Sequence, residues 1–138
     1  MTLSAFLKKN AVKEENLKIV VSKRFEEDGK PVEWEIRSLS TTEESKIKKE
    51  CTRKVKVGKG VYRPETDYDE YLAKLAATCT VYPDLKNADL QDSYGVMGAD
   101  KVLKEMLKPG EYAEYINKIQ EFNGFDLSMD DLVEEAKN

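Results

Sequence analysis

Asp28-Gly29 lies between two runs in which apolar and polar residues alternate. Leu17, Ile19, Val21 and Phe25 interleave with Lys18, Ser22 and Arg24 before it, and Val32, Trp34 and Ile36 interleave with Glu33, Glu35 and Arg37 after it. A period of two sends successive side chains to opposite faces of a strand, and Asp-Gly tolerates the positive φ angles of a two-residue hairpin turn. A β-hairpin over about 17–38 follows. Its outer faces carry bases on one strand and mostly acids on the other, which suits cross-strand pairing. A lone two-stranded ribbon is marginal in water, so the Val/Trp/Ile face needs a partner layer.

The rest of the chain reads with helical period. Ser40 with Glu43 three residues on forms a capping box, and Ile47, Cys51 and Val55 mark a narrow apolar stripe through a basic helix over about 41–56. Residues 57–63, with Gly58 and Gly60, read as a loop or short strand. Thr66 with Asp69 forms an acidic capping box for a helix over about 66–80. Its stripe is Tyr68, Tyr71, Leu72, Leu75, Ala76 and Cys79, and Pro83 terminates it. Residues 85–98 fit one or two short helical turns ended by Gly95 or Gly98. Val102, Leu103, Met106 and Leu107 define a helix over about 100–108, stopped at Pro109-Gly110. Tyr112, Tyr115, Ile116, Ile119 and Phe122 define another over about 111–123, with Gly124 placed to end it. The fold class is therefore α+β: an N-terminal antiparallel β-hairpin packed against a mainly α-helical domain. One domain covers residues 1–125. Residues 126–138 are acidic and amphipathic, a short helix or a flexible tail. Residues 4–10 read as a short helix with Leu3, Phe6 and Leu7 on one side, a lid on the domain.

A chain of 138 residues fits one globular unit with a modest core. Charged residues make up 36%, above the usual quarter, while 40% apolar residues at regular spacing argue against wholesale disorder. The net charge of −4 gives no general attraction to nucleic acid or an anionic membrane. Cys51 and Cys79 both fall on apolar helix faces, where a free thiol behaves as a small hydrophobe. Buried thiols are expected rather than a disulfide. The N-terminus lacks the basic region and long apolar run of a signal peptide, and no apolar stretch approaches the ~20 residues that span a bilayer. The expected location is the cytosol.

Catalytic equipment is sparse. There is no histidine, which removes the side chain best suited to proton transfer near neutrality and the commonest zinc ligand. No nucleophile elbow, phosphate-binding loop or dinucleotide fingerprint occurs. Gly58-Lys59-Gly60 is turn-prone but lacks the rest of a phosphate loop. Asp67, Asp69 and Glu70 suit a helix start better than a cation site, because acids in a first turn meet the positive end of the helix dipole and the spacing of a calcium loop is missing. Lys46, Lys48, Lys49, Arg53, Lys54, Lys56 and Lys59 form the densest basic run. Few aromatics interleave with them to stack on bases, which favours a solvated or protein-binding face over a nucleic-acid footprint. No metal, cofactor or enzymatic activity is expected.

Longer blocks carry a family likeness. Residues 65–75 (Glu65-Thr66-Asp67-Tyr68-Asp69-Glu70-Tyr71-Leu72-Ala73-Lys74-Leu75) continue through Cys79-Thr80-Val81-Tyr82-Pro83-Asp84-Leu85 to Asp89-Leu90-Gln91-Asp92-Ser93-Tyr94-Gly95-Val96-Met97-Gly98. Together with Val21-Ser22-Lys23-Arg24-Phe25, Trp34-Glu35-Ile36-Arg37, Lys49-Glu50-Cys51-Thr52-Arg53, Met106-Leu107-Lys108-Pro109-Gly110-Glu111-Tyr112 and Phe122-Asn123-Gly124-Phe125-Asp126, they resemble the XkdN-like tail assembly chaperones of contractile-tailed phages and defective prophages, nearly end to end. The resemblance implies a non-catalytic protein of the host bacterial cytoplasm, absent from the mature virion. It would bind the long, helical, apolar tape measure protein without ATP until the tail tube polymerises around it. Further partners it implies are tail tube protein, a second copy of the chain and a longer product of the same gene made by ribosomal frameshifting. For the last, Ala136-Lys137-Asn138 is compatible with codons GCA-AAA-AAC, which contain a slippery heptamer.

Tyr94, Met97, Met106, Tyr112 and Tyr115 are candidate client contacts, because methionine adapts its shape and tyrosine combines apolar area with a polar tip; core packing is the competing reading for those on helical stripes. Leu127, Met129, Leu132 and Val133 form a second candidate set. The alternative functional classes are a small structural or connector protein of the tail, which would remain in purified particles, and a nucleic-acid-binding regulator using the basic run.

Overall fold

The computed structural model describes residues 3–125. The predicted hairpin is present. Strands β1 (Leu17–Ile19) and β4 (Trp34–Ile36) pair antiparallel, Leu17 opposite Ile36 and Ile19 opposite Trp34. The ribbon continues to its tip through β2 (Glu26–Glu27) and β3 (Lys30–Pro31). Asp28 and Gly29 both take positive φ, 53° and 79°, as a two-residue turn of the mirror-image type requires. Trp34 and Ile36 are fully buried and Leu17, Ile19, Val21 and Phe25 pack against the same core. In the paired strands the alternation read from the sequence is the alternation between core and solvent, whereas Ser22, read on the polar side, is buried.

Helix α1 (Thr41–Glu50) opens on the expected capping box: Ser40 Oγ accepts from the Glu43 N–H, and the Glu43 carboxylate accepts from the Ser40 N–H. The helix ends six residues before the predicted 56. Cys51 caps it, the Thr52 hydroxyl takes up the Lys48 carbonyl, and the chain turns into strand β5 (Thr52–Gly58), which pairs with β6 (Val61–Thr66) as a second hairpin. Val55 fits a helical stripe through Ile47 and Cys51. Thr52, Val55 and Val57, however, favour strand, and Gly58 to Gly60 supplies the turn, with Gly60 at φ 71°.

Helix α2 (Tyr68–Cys79) is capped by Asp67, whose Oδ1 accepts from the Glu70 N–H at 3.1 Å, rather than by Thr66. Thr66 closes β6 instead, its hydroxyl bonded to that of Thr52 at 2.8 Å. Tyr71, Leu75, Ala76 and Cys79 of the predicted stripe are buried; Tyr68 is exposed. The helix ends one residue short of the predicted 80, and what ends it is not Pro83: Thr80-Val81-Tyr82 becomes strand β7 (Thr80–Tyr82), which adds antiparallel to β4 and gives the sheet order β1-β4-β7. A short helix α3 (Ala88–Ser93) capped by Asn87 follows. Then come α4 (Ala99–Met106) and α5 (Pro109–Phe122), with Pro109 in the first turn of α5, where its fixed φ suits the helix and its missing N–H costs nothing. Helix α2 is the central strut, packed on α1, α4 and α5. Cys51 and Cys79 are buried and free, and burial pushes the Cys79 thiol up to about 11. Residues 3–6 form a single 3-10 turn, but Leu3 and Phe6 stand 74% and 81% exposed, so this segment is not a lid on the domain.

Two polar clasps join the layers. Thr80 Oγ1 lies 2.7 Å from the Ala76 carbonyl and 2.6 Å from the Tyr115 hydroxyl. A carbonyl only accepts, so Thr80 donates to Ala76 and Tyr115 must donate to Thr80. Replacing Thr80 by Val strands the buried Tyr115 hydroxyl and should cost about 1–3 kcal/mol in urea denaturation. Tyr115→Phe leaves the Thr80 bond to Ala76 intact and should cost less; the reverse order would contradict this direction of donation.

The second clasp ties the hairpin to the α4–α5 junction. Arg24 donates to the Met106 carbonyl and to Glu111 Oε1, and the same carboxylate accepts from the Lys108 N–H at 2.9 Å. Hydrogen bonding from Ser22, a buried polar residue, then from the Lys108 N–H and Arg24, holds the Glu111 carboxyl down at about 2. A carboxyl lowered on folding stabilises above its unfolded value near 4.5, and the gain is lost as pH falls through the folded value. Glu111→Gln should therefore melt below the parent at pH 7, and the gap should close between pH 4.5 and about 2.

Candidate partner-binding surface

Among the described residues, the side chains singled out for partner contact do not converge. Met106 and Tyr115 are core residues, 4% and 1% exposed. Tyr115 packs edge-on against Trp34 with ring centroids 5.2 Å apart, and burial raises its phenol above the ordinary range. The chemistry that makes Met and Tyr good contact residues also makes them good core residues, and their place on the helical stripes decides for the core. Both leave the list of surface candidates. Tyr94 and Tyr112 are half-buried against the same core. Only Met97, in the connection between α3 and α4, is largely exposed, at 83%. Leu127, Met129, Leu132 and Val133 lie outside the described residues.

A different surface gathers exposed apolar side chains. The β5–β6 hairpin projects from the domain with almost every residue of both strands exposed, and Val57, Val61 and Tyr62 crowd its outer half. The cross-strand register places Lys54 and Lys56 with Pro64 and Tyr62 on one face, and Arg53 and Val55 with Glu65 and Arg63 on the other. Lys59 sits in the turn. The base of the ribbon is fixed firmly: the Asp67 N–H donates to the Cys51 carbonyl at 2.8 Å, and Glu70 pairs with Arg53 and Lys74, each at 3.2 Å. The basic run of the sequence is thereby divided. Lys46, Lys48 and Lys49 belong to α1, and Arg53, Lys54, Lys56 and Lys59 to the hairpin. Val57-Gly58-Lys59-Gly60-Val61 carried the signal that would have exposed this ribbon, a glycine-bounded turn between β-branched residues.

Asp67 and Glu70, which superficially resemble cation ligands, are used as a helix cap and in ion pairs. Among the described residues no group of three or more His, Cys, Asp or Glu could hold a metal ion, and no helix is long and apolar enough to cross a membrane. The surface is suited to holding another polymer by apolar and charged side chains.

The model of the phage XkdN-like tail assembly chaperone family matches residues 3–137. The chain belongs to this family. Among its relatives, phage-like element PBSX protein XkdN of Bacillus subtilis (strain 168) is 34% identical over 140 residues, covering 99% of this chain and 93% of that protein. Uncharacterized protein YqbN of the same strain is also 34% identical, over 139 residues with the same coverage. The crystal structure of YqbN matches with a TM-score of 0.77 at 29% identity over 90% of this chain and 97% of that one. Tail assembly chaperone is therefore the family role, and the α+β architecture described above is shared with a solved relative.

Because Val57, Val61 and Tyr62 pack on nothing in the core, replacing all three by Ser should change stability by only about 0.5 kcal/mol per site in chemical denaturation. A loss of several kcal/mol would mean that the hairpin is part of the cooperative core.

Proposed function

We propose that this chain binds the tape measure protein of the tail and keeps it soluble until the tail tube polymerises around it, acting stoichiometrically, without ATP and without catalysis. The observation that carries the reading is the projecting β5–β6 hairpin, where Val57, Val61 and Tyr62 stand exposed among Lys54, Lys56, Lys59 and Arg63. Family membership supports the assembly role, and the ribbon supports the mode. A long helical client with repeated apolar faces would otherwise aggregate. Apolar contacts framed by charge let one small surface hold many similar segments reversibly. The place of action in this reading is the host cytoplasm, and the chain leaves when tube subunits displace it.

Coexpression with the tape measure protein of the same phage genome tests this. The long product should become soluble and copurify with the chain. The triple variant Val57→Ser, Val61→Ser, Tyr62→Ser should reduce copurification about tenfold, the effect of losing ~1.4 kcal/mol of binding energy. A tape measure protein that stays insoluble beside the parent chain, or this chain found by mass spectrometry at fixed stoichiometry in mature tails, would overturn the reading; the second result would favour a structural component of the tail.

A further inference from the structure

The charge of this chain is divided in an uneven way. It has 23 bases and 27 acids in all, and residues 126–138 contain five of the acids (Asp126, Asp130, Asp131, Glu134, Glu135) against Lys137. Residues 1–125 therefore hold 22 of each and are neutral, so the net charge of −4 belongs entirely to the last thirteen residues. Within the neutral domain the β5–β6 hairpin is a concentrated exception. Arg53, Lys54, Lys56, Lys59 and Arg63 stand against Glu65 alone, a local charge of +4. Arg53 is engaged by Glu70. Among the described residues, no carboxylate pairs with Lys54, Lys56, Lys59 or Arg63.

We infer that, in the chain free of client, the basic hairpin is the docking surface for residues 126–138 of the same chain, so that this segment and the client of the proposed function occupy the ribbon in turn. Three observations meet here. The first is the charge, +4 against −4. The second is apolar content: Leu127, Met129, Leu132 and Val133 are interspersed with the acids, as Val57, Val61 and Tyr62 are with the bases, so both kinds of contact are matched. The third is reach. Phe125 lies beside Ser40 and Thr41 at the start of α1, and the ten residues of α1 carry the surface about 15 Å to the base of the ribbon. Thirteen further residues span up to ~43 Å when extended, enough to pass the base and follow the strands. Tethering raises the local concentration of such a segment to about the millimolar range, so individually weak pairs suffice to occupy the ribbon.

Zero-length carbodiimide cross-linking of the full chain tests the contact, since it joins only carboxylates and amines already touching. Peptide mapping should find Asp130, Asp131, Glu134 and Glu135 joined to Lys54, Lys56 and Lys59, in the monomer band and not between isotopically labelled and unlabelled chains mixed before reaction. The yield should fall about tenfold in ~0.5 M sodium chloride, where exposed charges are screened beyond a few ångströms. The variant Lys54→Glu, Lys56→Glu, Lys59→Glu lacks the reacting amines and loses these links in any case; when Asp130→Lys, Asp131→Lys and Glu134→Lys are added, amine and carboxylate have changed places and the yield should return, now with the ribbon supplying the carboxylates. Lys54, Lys56 and Lys59 are exposed, and circular dichroism of each variant verifies the fold. No cross-link to the hairpin, links spread evenly over lysines such as Lys8, Lys104 and Lys118, links formed mainly between chains, or failure of the charge swap to restore the yield would each overturn the proposal.

Discussion

The burial of Trp34 is the contact on which the architecture depends. It is the largest fully buried side chain. It meets Tyr115 of α5 edge-on and Phe25 of its own ribbon at 6.2 Å, so one residue joins the hairpin to the helical layer. A three-residue pairing such as β1 with β4 has little stability of its own. It persists because Trp34 and Ile36 point into the same core as Leu75, Leu103 and Ile119, and because β7 completes the sheet on the far side of β4. Helix α2 runs into β7 with no intervening loop, so sheet and helices share a covalent element as well as a core.

That union explains which parts of the fold were legible in the sequence. The hairpin around Asp28-Gly29 and the capping box at Ser40 are local devices whose chemistry is complete within a few residues, and both stand where they were read. So do the α4 and α5 stripes, within two residues at each end. The misreadings are of segments whose state is decided by distant partners. Thr80-Val81-Tyr82 lies at the end of a good helical stripe and becomes strand because β4 offers an unpaired edge. Val55 fits both a helix of period four from Cys51 and a strand of period two to Val57, and pairing with Arg63 settles it.

The candidate partner-binding surface was less legible, for a related reason. Tyr and Met were selected by side-chain chemistry, and burial depends on tertiary structure. Met106 and Tyr115 fall on the inward side of their helices, and Met97 falls outside any element and is exposed. The exposed apolar group of the hairpin was hidden inside a run noticed only for its bases. Once Lys54, Lys56 and Lys59 are seen on a ribbon, the valines and the tyrosine between them become the more informative half of the pattern.

Among the described residues the hairpin is held at its base, by the Cys51 carbonyl, the Thr52–Thr66 hydroxyl pair and the Arg53–Glu70 bridge. A strand of seven residues extends about 20 Å beyond such an anchor. It is mechanically a lever. A tilt of about 10° at the base carries the tip through roughly 3.5 Å, close to one residue's advance along a strand, while the Trp34 core is undisturbed. A short arm on a rigid body can thus displace its exposed apolar tip by a few ångströms without the body itself having to deform.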